Sequence, residues 1–385
     1  MASSGRGVLD GVKVVEIAGL GPGPFCGMLL ADLGADVIAV ERPGVGTRQP
    51  RPHEIYNRGK RSIELDLKAA GAAEAVLKLV AKADALIEGM RPGVMERLGI
   101  GPDVCLARNP ALVYGRMTGW GQQGPLSRAA GHDSNYTALA GALWFASRTG
   151  TPPEMPTTLA GDVGGGAMYL ALGIVCGLLR ARLDGSGQVV DAAIVDGVAH
   201  SLNLLLSMRA SAGAAFDRGI HFTDVAHWAG RSYRCADGGW INIASLEPQF
   251  YAELLSRLGL DGDERFARGQ MNPDCWPVLT DELAALFATR SRSHWCELLE
   301  GTDACFSPVL DPTESARHPH LVARGVYKTV DGVLQAAPAP RFSKTPSDRF
   351  GAVPLRGAHT REVLKEAGLS VAEVDGLTPV EGTSR

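Results

Sequence analysis

Three kinds of feature are scarce in this sequence of 385 residues, and each absence narrows its function. Lysine and arginine (38 residues) do not outnumber aspartate and glutamate (42), so the basic excess of nucleic-acid binding proteins is missing. The 7 cysteines include no C-x-x-C spacing, which indicates reduced thiols and no metal site. Only 21% of residues are charged against 45% hydrophobic, so we expect a chain that buries a large core, in two domains.

Targeting and membrane segments are not evident either. Residues 1–7 are polar and no apolar segment follows them, so we expect no secretory signal. The most apolar window, Met168 to Leu183, contains Arg180 and Arg182 and is too short to span a membrane, which predicts a core helix. We therefore expect a cytoplasmic protein that binds neither membrane nor nucleic acid.

The order of apolar runs predicts an α/β fold. A run of β-branched residues at 12–17, a helical segment at 24–33 and a second apolar run at 37–41 form one βαβ unit. The pattern continues with a helix at 72–81 and strands at 85–88, 111–115 and 188–192, which predicts a Rossmann-like parallel sheet covered by helices. A long helix follows at 196–208.

The chain changes character after residue 240, where a strand at 240–243 precedes helices at 249–258, 279–288 and 294–299. This order predicts a smaller α+β domain, and a last helix is expected at 360–367. The predicted divisions are a large domain at 1–195, linker helices at 196–235, the small domain at 236–312, and a return segment at 313–385 that packs on the large domain.

A glycine-rich turn after the first strand imitates a dinucleotide-binding fingerprint. The turn is Gly19-Leu20-Gly21-Pro22-Gly23-Pro24, and Glu41 ends the second strand where a ribose-binding acid would stand. Cys26 occupies the place of the third glycine, and two prolines remove amide donors that a pyrophosphate needs. Nicotinamide binding is therefore a minor alternative, and Pro24 suits the first position of a helix.

Basic residues concentrate after the predicted strands, in an otherwise acidic protein. Because ligands of open α/β sheets bind at the carboxyl ends of strands, and guanidinium groups bind phosphate bidentately, this concentration favours a phosphorylated ligand. A solvated loop remains the alternative for any one of them. The residues are Arg42, Arg58, Lys60, Arg61, Lys68, Arg91 and Arg97.

Two segments supply a possible acid and base. His132 lies in Gly131-His132-Asp133-Ser134-Asn135-Tyr136, and Asp162 precedes a run of glycines. An imidazole titrates near neutral pH and burial tunes a carboxyl, so groups of these two types on opposite sides of one carbon could take and return a proton. Helix caps are the alternative for both residues.

Many motifs in one order resemble the α-methylacyl-CoA racemase branch of the class III CoA-transferase (CaiB/BaiF) superfamily, from about Leu9 to about Ser343. These motifs are Val14-Val15-Glu16, Gly21-Pro22-Gly23-Pro24-Phe25-Cys26, Ala31-Asp32-Leu33-Gly34-Ala35-Asp36-Val37, Arg58-Gly59-Lys60-Arg61-Ser62, Arg91-Pro92-Gly93-Val94, Gly131-His132-Asp133 and Gly187-Gln188-Val189-Val190-Asp191.

The resemblance implies a cofactor-independent enzyme of lipid metabolism that inverts the α-carbon of a 2-methylacyl-CoA thioester, coenzyme A being part of the substrate. It implies an interlocked homodimer in which the large domain of one chain meets the small domain of the other at each site. His132 and Asp162 are implied as the catalytic pair, with Glu247 tuning the histidine; an exposed turn is the alternative for Glu247. The implied coenzyme A contacts are Arg42, Leu65, Asp66, Leu67, Lys68, Met90, Arg91, Gly131, Asp133 and Tyr136.

Two other functions stay open at this stage. The first is CoA transfer between carboxylic acids through an anhydride on Asp162, although transferases of this class lack the Gly-His-Asp-x-Asn-Tyr element. The second is an acyl-CoA binder without catalysis. The chain also departs from the racemase pattern at residues 225–233. His227 and Trp228 in this segment are expected either to alter the acyl pocket or merely to pack the linker. If they alter the pocket, the protein could accept an unusual acyl group or catalyse another isomerisation.

Overall fold

The structure is a computed structural model that describes residues 7–44, 49–146, 150–156, 158–211, 213, 218, 228, 230–345 and 350–378. The described residues form two compact units. The first comprises those within Met1–Ala140, Pro156–Ser201 and Arg324–Arg385, and the second those within Gly141–Met155 and Leu202–Ala323. The boundaries predicted at residues 195, 235 and 312 stay predictions.

Six parallel strands form the sheet of the first unit. Their bounds are β1 Lys13–Ile17, β2 Asp36–Glu41, β3 Arg61–Glu64, β4 Ala85–Glu88, β5 Val113–Thr118 and β6 Gln188–Ala193. The order β3-β2-β1-β4-β5-β6 is that of a Rossmann fold, because it reverses between β1 and β4. The predicted α/β class is therefore confirmed, and β4 has the predicted bounds.

Helices cover both faces of this sheet, so its central strands are buried on both sides. Their bounds are α1 Pro22–Asp32, α2 Ala72–Val80, α3 Val94–Arg97, α4 Pro102–Arg108, α5 Asp133–Leu139, α6 Met168–Asp184 and α7 Ile194–Ser201, with a 3-10 turn at Ile55–Asn57. One core joins the strands to α2 and to the last helices of the chain, with Val15, Leu86 and Val363 fully buried.

A π-helix, Leu159–Ala167, leads directly into α6. Glycines on both helices allow its close approach to α7: a Cβ atom on Gly197 of α7 would lie 1.9 Å from the Gly165 carbonyl oxygen, and one on Gly165 would lie 2.9 Å from the Val198 amide nitrogen. The continuous helix Leu159–Asp184 has 26 residues, which by length and composition is enough to cross a membrane, and 44% of its most apolar window is buried in the protein. The prediction of a helix too short for a membrane is therefore wrong, because the glycine run is helical rather than a break.

The second unit is built on the three-stranded antiparallel sheet β7-β8-β9. Its elements are a 3-10 turn Leu143–Phe145, α8 Asn203–Ser211, β7 Gly230–Arg234, β8 Trp240–Ala244, α9 Pro248–Leu258, α10 Glu264–Gly269, a 3-10 turn Pro273–Cys275, α11 Trp276–Phe287, α12 Arg292–Leu299, β9 Phe306–Val309, α13 Pro312–Ser315 and α14 Pro319–Ala323. Its core is rich in aromatic residues, among them Tyr233, Phe287 and Trp295. The smaller α+β fold is confirmed, but the helix predicted at 196–208 is interrupted and forms α7 and α8.

The chain then returns to the first unit. It forms the hairpin β10 Tyr327–Val330 and β11 Val333–Ala336, and the helices α15 Thr360–Glu366 and α16 Val371–Leu377. α15 packs beside β3, where the Glu64 amide donates to Thr360 Oγ1 at 3.0 Å. These contacts pack α15 against the sheet of the first unit. The packing of the whole segment 313–385 on the large domain stays a prediction.

Candidate active site

Loops at the carboxyl ends of β1, β4 and β5 surround a crevice where the strand order reverses. The chain leaves β1 towards β2 and leaves β4 towards β5, so the connections diverge, and open α/β sheets bind ligands at such a point. Two adjoining cavities of about 290 Å³ and about 350 Å³ lie there, called here the outer and the inner cavity. Both walls include Gly89, Met117, Thr118, Gly119, Gly131, His132 and Tyr136.

His132 lines both cavities from the N-cap of α5. Its amide donates to Asn135 Oδ1 at 3.0 Å, and its carbonyl accepts from the Asn135 amide at 2.8 Å. The residue is exposed. The helix-cap alternative is therefore confirmed for the His132 backbone, and the same residue contributes to the wall of the crevice.

Asp162 lines the inner cavity together with His132. It lies within the π-helix, so the alternative of an N-cap is wrong for this residue. Its backbone amide donates to Asp133 Oδ1 at 2.7 Å. Burial raises the pKa of the Asp162 carboxyl, the negative charge of Asp133 raises it further, and His132 opposes the shift. A raised pKa allows this carboxyl to hold a proton at higher pH than an exposed aspartate.

The implied coenzyme A contacts fall into two groups. Met90, Arg91, Gly131 and Tyr136 line the outer cavity, where the Tyr136 hydroxyl donates to the Gly131 carbonyl. The others do not line either cavity: Arg42, Asp66 and Lys68 are exposed beyond β2 and β3, Leu67 is half-buried, and Leu65 and Asp133 are buried.

The family model of CoA-transferase family III matches residues 9–360 of the chain. The chain belongs to CoA-transferase family III. It is 41% identical to the α-methylacyl-CoA racemase of Mus musculus over 369 residues, 95% of each chain. It is 40% identical to the α-methylacyl-CoA racemase of Homo sapiens over 368 residues, again 95% of each. A solved CaiB/BaiF family protein from Brucella suis matches with a TM-score of 0.79 and 28% identity, covering 94% of this chain and 100% of the other.

Glu247 lies in the second unit of this family III chain. It is exposed and precedes α9 as its N-cap, and its carbonyl accepts from the Tyr251 amide at 2.9 Å. Glu247 is therefore an exposed residue directly before Pro248, as the alternative interpretation proposed. Its part in the chemistry stays a prediction.

Three basic residues predicted to recognise phosphate are engaged in ion pairs instead. Arg58 binds Asp32 at 2.6 Å, Lys60 binds Glu16 at 2.7 Å, and Arg61 binds Asp36 at 2.7 Å. The sequence prediction is wrong here because β3 begins at Arg61, so this segment belongs to the sheet and its supports rather than to an open loop.

The segment that departs from the racemase pattern, residues 225–233, is described at Trp228 and at residues 230–233. His227 lies outside the described residues. The Trp228 side chain is fully buried in the second unit, where it meets Tyr251 and Phe266 edge-on, with ring centroids 5.1 Å and 5.7 Å away. These contacts support the alternative in which Trp228 packs the unit, and a direct role in the acyl pocket stays a prediction.

Sequence reasoning missed Glu88, which fixes the loop of the outer cavity. Glu88 Oε2 accepts from the Met90 amide at 2.6 Å, and Oε1 accepts from Arg116 Nε at 2.9 Å. Burial raises the pKa of Glu88, while these two donors oppose the shift. The available signal was an acidic residue ending a wholly apolar strand, directly before the Met90-Arg91 segment.

Proposed function

We propose that this family III protein inverts the α-carbon of a 2-methylacyl-CoA thioester by moving protons between the substrate and the pair His132 and Asp162. The observation that carries the proposal is that both side chains line one cavity at the reversal point of the sheet. Relatives named α-methylacyl-CoA racemase, about 40% identical over nearly the whole chain, support the same reaction.

The reaction requires two groups in opposite protonation states. One takes the α-proton, the carbon's electron pair moves into the thioester carbonyl to form an enolate, and the other group delivers a proton to the opposite face. The raised pKa of Asp162 suits the delivering role, because an ordinary carboxyl holds no proton near neutral pH. His132 then takes the α-proton, and the roles exchange for the other enantiomer. Charge and atoms balance without a separate redox group.

The proposed coenzyme A site extends from the outer cavity towards β2 and β3. Arg91 is exposed at the outer cavity, and Arg42 and Lys68 are exposed cations beyond the two strands. Guanidinium and ammonium groups at strand ends suit the phosphates of coenzyme A. This arrangement would leave the inner cavity for the α-carbon.

We expect the protein to exchange the α-hydrogen of a chiral 2-methylacyl-CoA with solvent. In D₂O, NMR should show deuterium at the α-carbon appearing together with loss of chirality. Heat-inactivated protein is the control. Transfer of coenzyme A to an added carboxylate without exchange would assign the protein to the transferases instead, and coenzyme A binding with neither reaction would make it a binder.

A homodimer belongs to the same proposal. One face of α6 exposes five apolar side chains at helical spacing, a pattern that a second copy would cover: Met168, Leu172, Val175, Leu179 and Leu183. We propose that the partner's small domain supplies Glu247 to the His132 of this chain.

Co-expression of two inactive variants tests the shared site. If His132→Ala and Glu247→Gln chains with different tags form mixed dimers, one site holds both natural residues, so about half of the wild-type activity should return. Each variant purified alone is the control. No recovery in purified mixed dimers would place Glu247 within the same chain's site, and a fully active Glu247→Gln protein would remove this residue from the mechanism.

A further inference from the structure

We infer that the Asp133 carboxylate is a positioning residue for Asp162, because it holds the Asp162 backbone beside His132 from the first turn of α5. The inference rests on the proposed acid and base roles of His132 and Asp162. It gives Asp133 a different task from the coenzyme A contact implied by the resemblance.

The hydrogen bond from the Asp162 amide to Asp133 Oδ1, at 2.7 Å, joins the two walls of the inner cavity. His132 and Asp133 are neighbours in the chain, so the start of α5 carries one cavity residue and anchors the other. A carboxylate accepting from a backbone amide makes a charge-assisted bond, stronger than one between neutral groups. This bond fixes the backbone that carries the Asp162 side chain.

The Asp133 carboxylate is tightly packed. Asp133 is 5% exposed, and its Oδ2 atom has no hydrogen-bond partner among the residues that the structure describes. Its Oδ1 side lies against the bare backbone of Gly161, where an added Cβ atom would be 2.3 Å from Oδ1 and 3.1 Å from Thr137 Cγ2. A half-satisfied buried carboxylate destabilises a fold, so its presence behind two residues of the inner cavity is better explained by the chemistry than by stability.

The same carboxylate also adds negative charge next to Asp162. The elements packed around the π-helix bring few other charges to this point. α5 brings His132 and Tyr136, whereas Pro22 of α1, Met117 of β5 and Ile194 of α7 lie against Gly166 and cannot ionise. After burial, Asp133 is the main cause that raises the pKa of Asp162, and His132 is the charge that opposes it.

Asp133→Asn tests this role, because it keeps an acceptor for the Asp162 amide and removes the charge. Without that charge the pKa of Asp162 should fall, so the limb of the kcat/KM profile for racemisation that Asp162 sets should move to lower pH. We expect kcat to fall by up to about 10²-fold, as for a small misplacement of a catalytic group. The affinity for coenzyme A should stay unchanged.

Asp103→Asn is the matched control, since Asp103 is an exposed aspartate in the first turn of α4. It should leave the pH profile unmoved. Gly161→Ala disturbs the same contact from the π-helix without changing charge, and should lower kcat but not coenzyme A affinity. It keeps the inference testable if Asp133→Asn fails to fold.

A measurement that requires no catalysis tests this inference independently of the proposed reaction. In protein labelled with carboxyl-¹³C aspartate, the Asp162 signal is assigned by its loss in Asp162→Asn and titrated by NMR. A lower titration midpoint in Asp133→Asn than in the unsubstituted protein supports the inference even if no racemisation is found. An unmoved midpoint, or a loss of coenzyme A affinity with an unmoved pH profile, would overturn it.

Discussion

His132→Gln and Asp162→Asn should each lower kcat for racemisation by about 10²- to 10⁴-fold, the usual contribution of a general acid or base. Both residues line the inner cavity, so each variant removes the group on one side of the α-carbon. Racemisation needs both groups, whereas removing a proton from one enantiomer needs only one.

Exchange of the α-hydrogen should therefore survive in each variant for one enantiomer, and the two variants should retain opposite enantiomers. Deuterium uptake by each pure enantiomer, measured beside optical rotation, separates the two effects. His53→Gln, a change at an exposed histidine of the same unit, is the control and should behave as the unsubstituted protein. Retention of the same enantiomer's exchange in both variants would contradict the two-base arrangement.

Lys60→Met should destabilise the fold by about 3–5 kcal/mol, because it leaves a buried carboxylate without its partner. Lys60 Nζ donates to Glu16 Oε2 at 2.7 Å and to the Pro24 carbonyl at 2.9 Å. The two side chains are 0% and 1% exposed, so water cannot replace the lost contact. Burial raises the pKa of Glu16, and the charge of Lys60 opposes that shift. Activity should fall too, since the Pro24 contact fixes the start of α1 at the inner cavity.

The midpoint of urea unfolding, followed by circular dichroism, measures the effect. Lys78→Met is the matched control, because it breaks an ion pair with Glu373 whose side chains are 25% and 48% exposed, and such pairs contribute about 0–1 kcal/mol. The double variant Lys60→Met with Glu16→Leu should recover much of the loss, since it removes the unpaired charge. Equal midpoints for Lys60→Met and Lys78→Met would show that the buried pair is not structurally required.

The predicted parallel sheet was accessible from sequence because β1, β2 and β4 are mostly apolar, as is typical of strands buried on both faces. β3 escaped prediction because it is four residues long, and Ile63 is its single apolar residue. Its buried arginine and lysine neighbours resemble a ligand-binding loop until their acidic partners are located. Those partners lie 25 to 44 residues away in sequence, so no local pattern reveals them.

The candidate site, too, could be predicted from the sequence only in part. His132 and Asp162 could be singled out from their motifs, whereas their shared cavity depends on the reversal of strand order, which the alternation of strands and helices alone does not predict. The anchoring of Asp162 by Asp133 could not be predicted, because the sequence pattern offered a helix cap at Asp162 where the structure has a π-helix.

Because Asp162 lies within that π-helix, the direction in which its side chain points depends on the number of residues in the helix. An α-helix turns by about 100° for each residue, and a wider π-turn accommodates an extra residue without moving the rest of the helix. Shortening Leu159–Ala167 by one residue would let the segment relax to the α-helical pitch and rotate Asp162 away from the crevice, with α6 undisturbed. A family member with every site residue intact could thus lose its acid through a single-residue deletion.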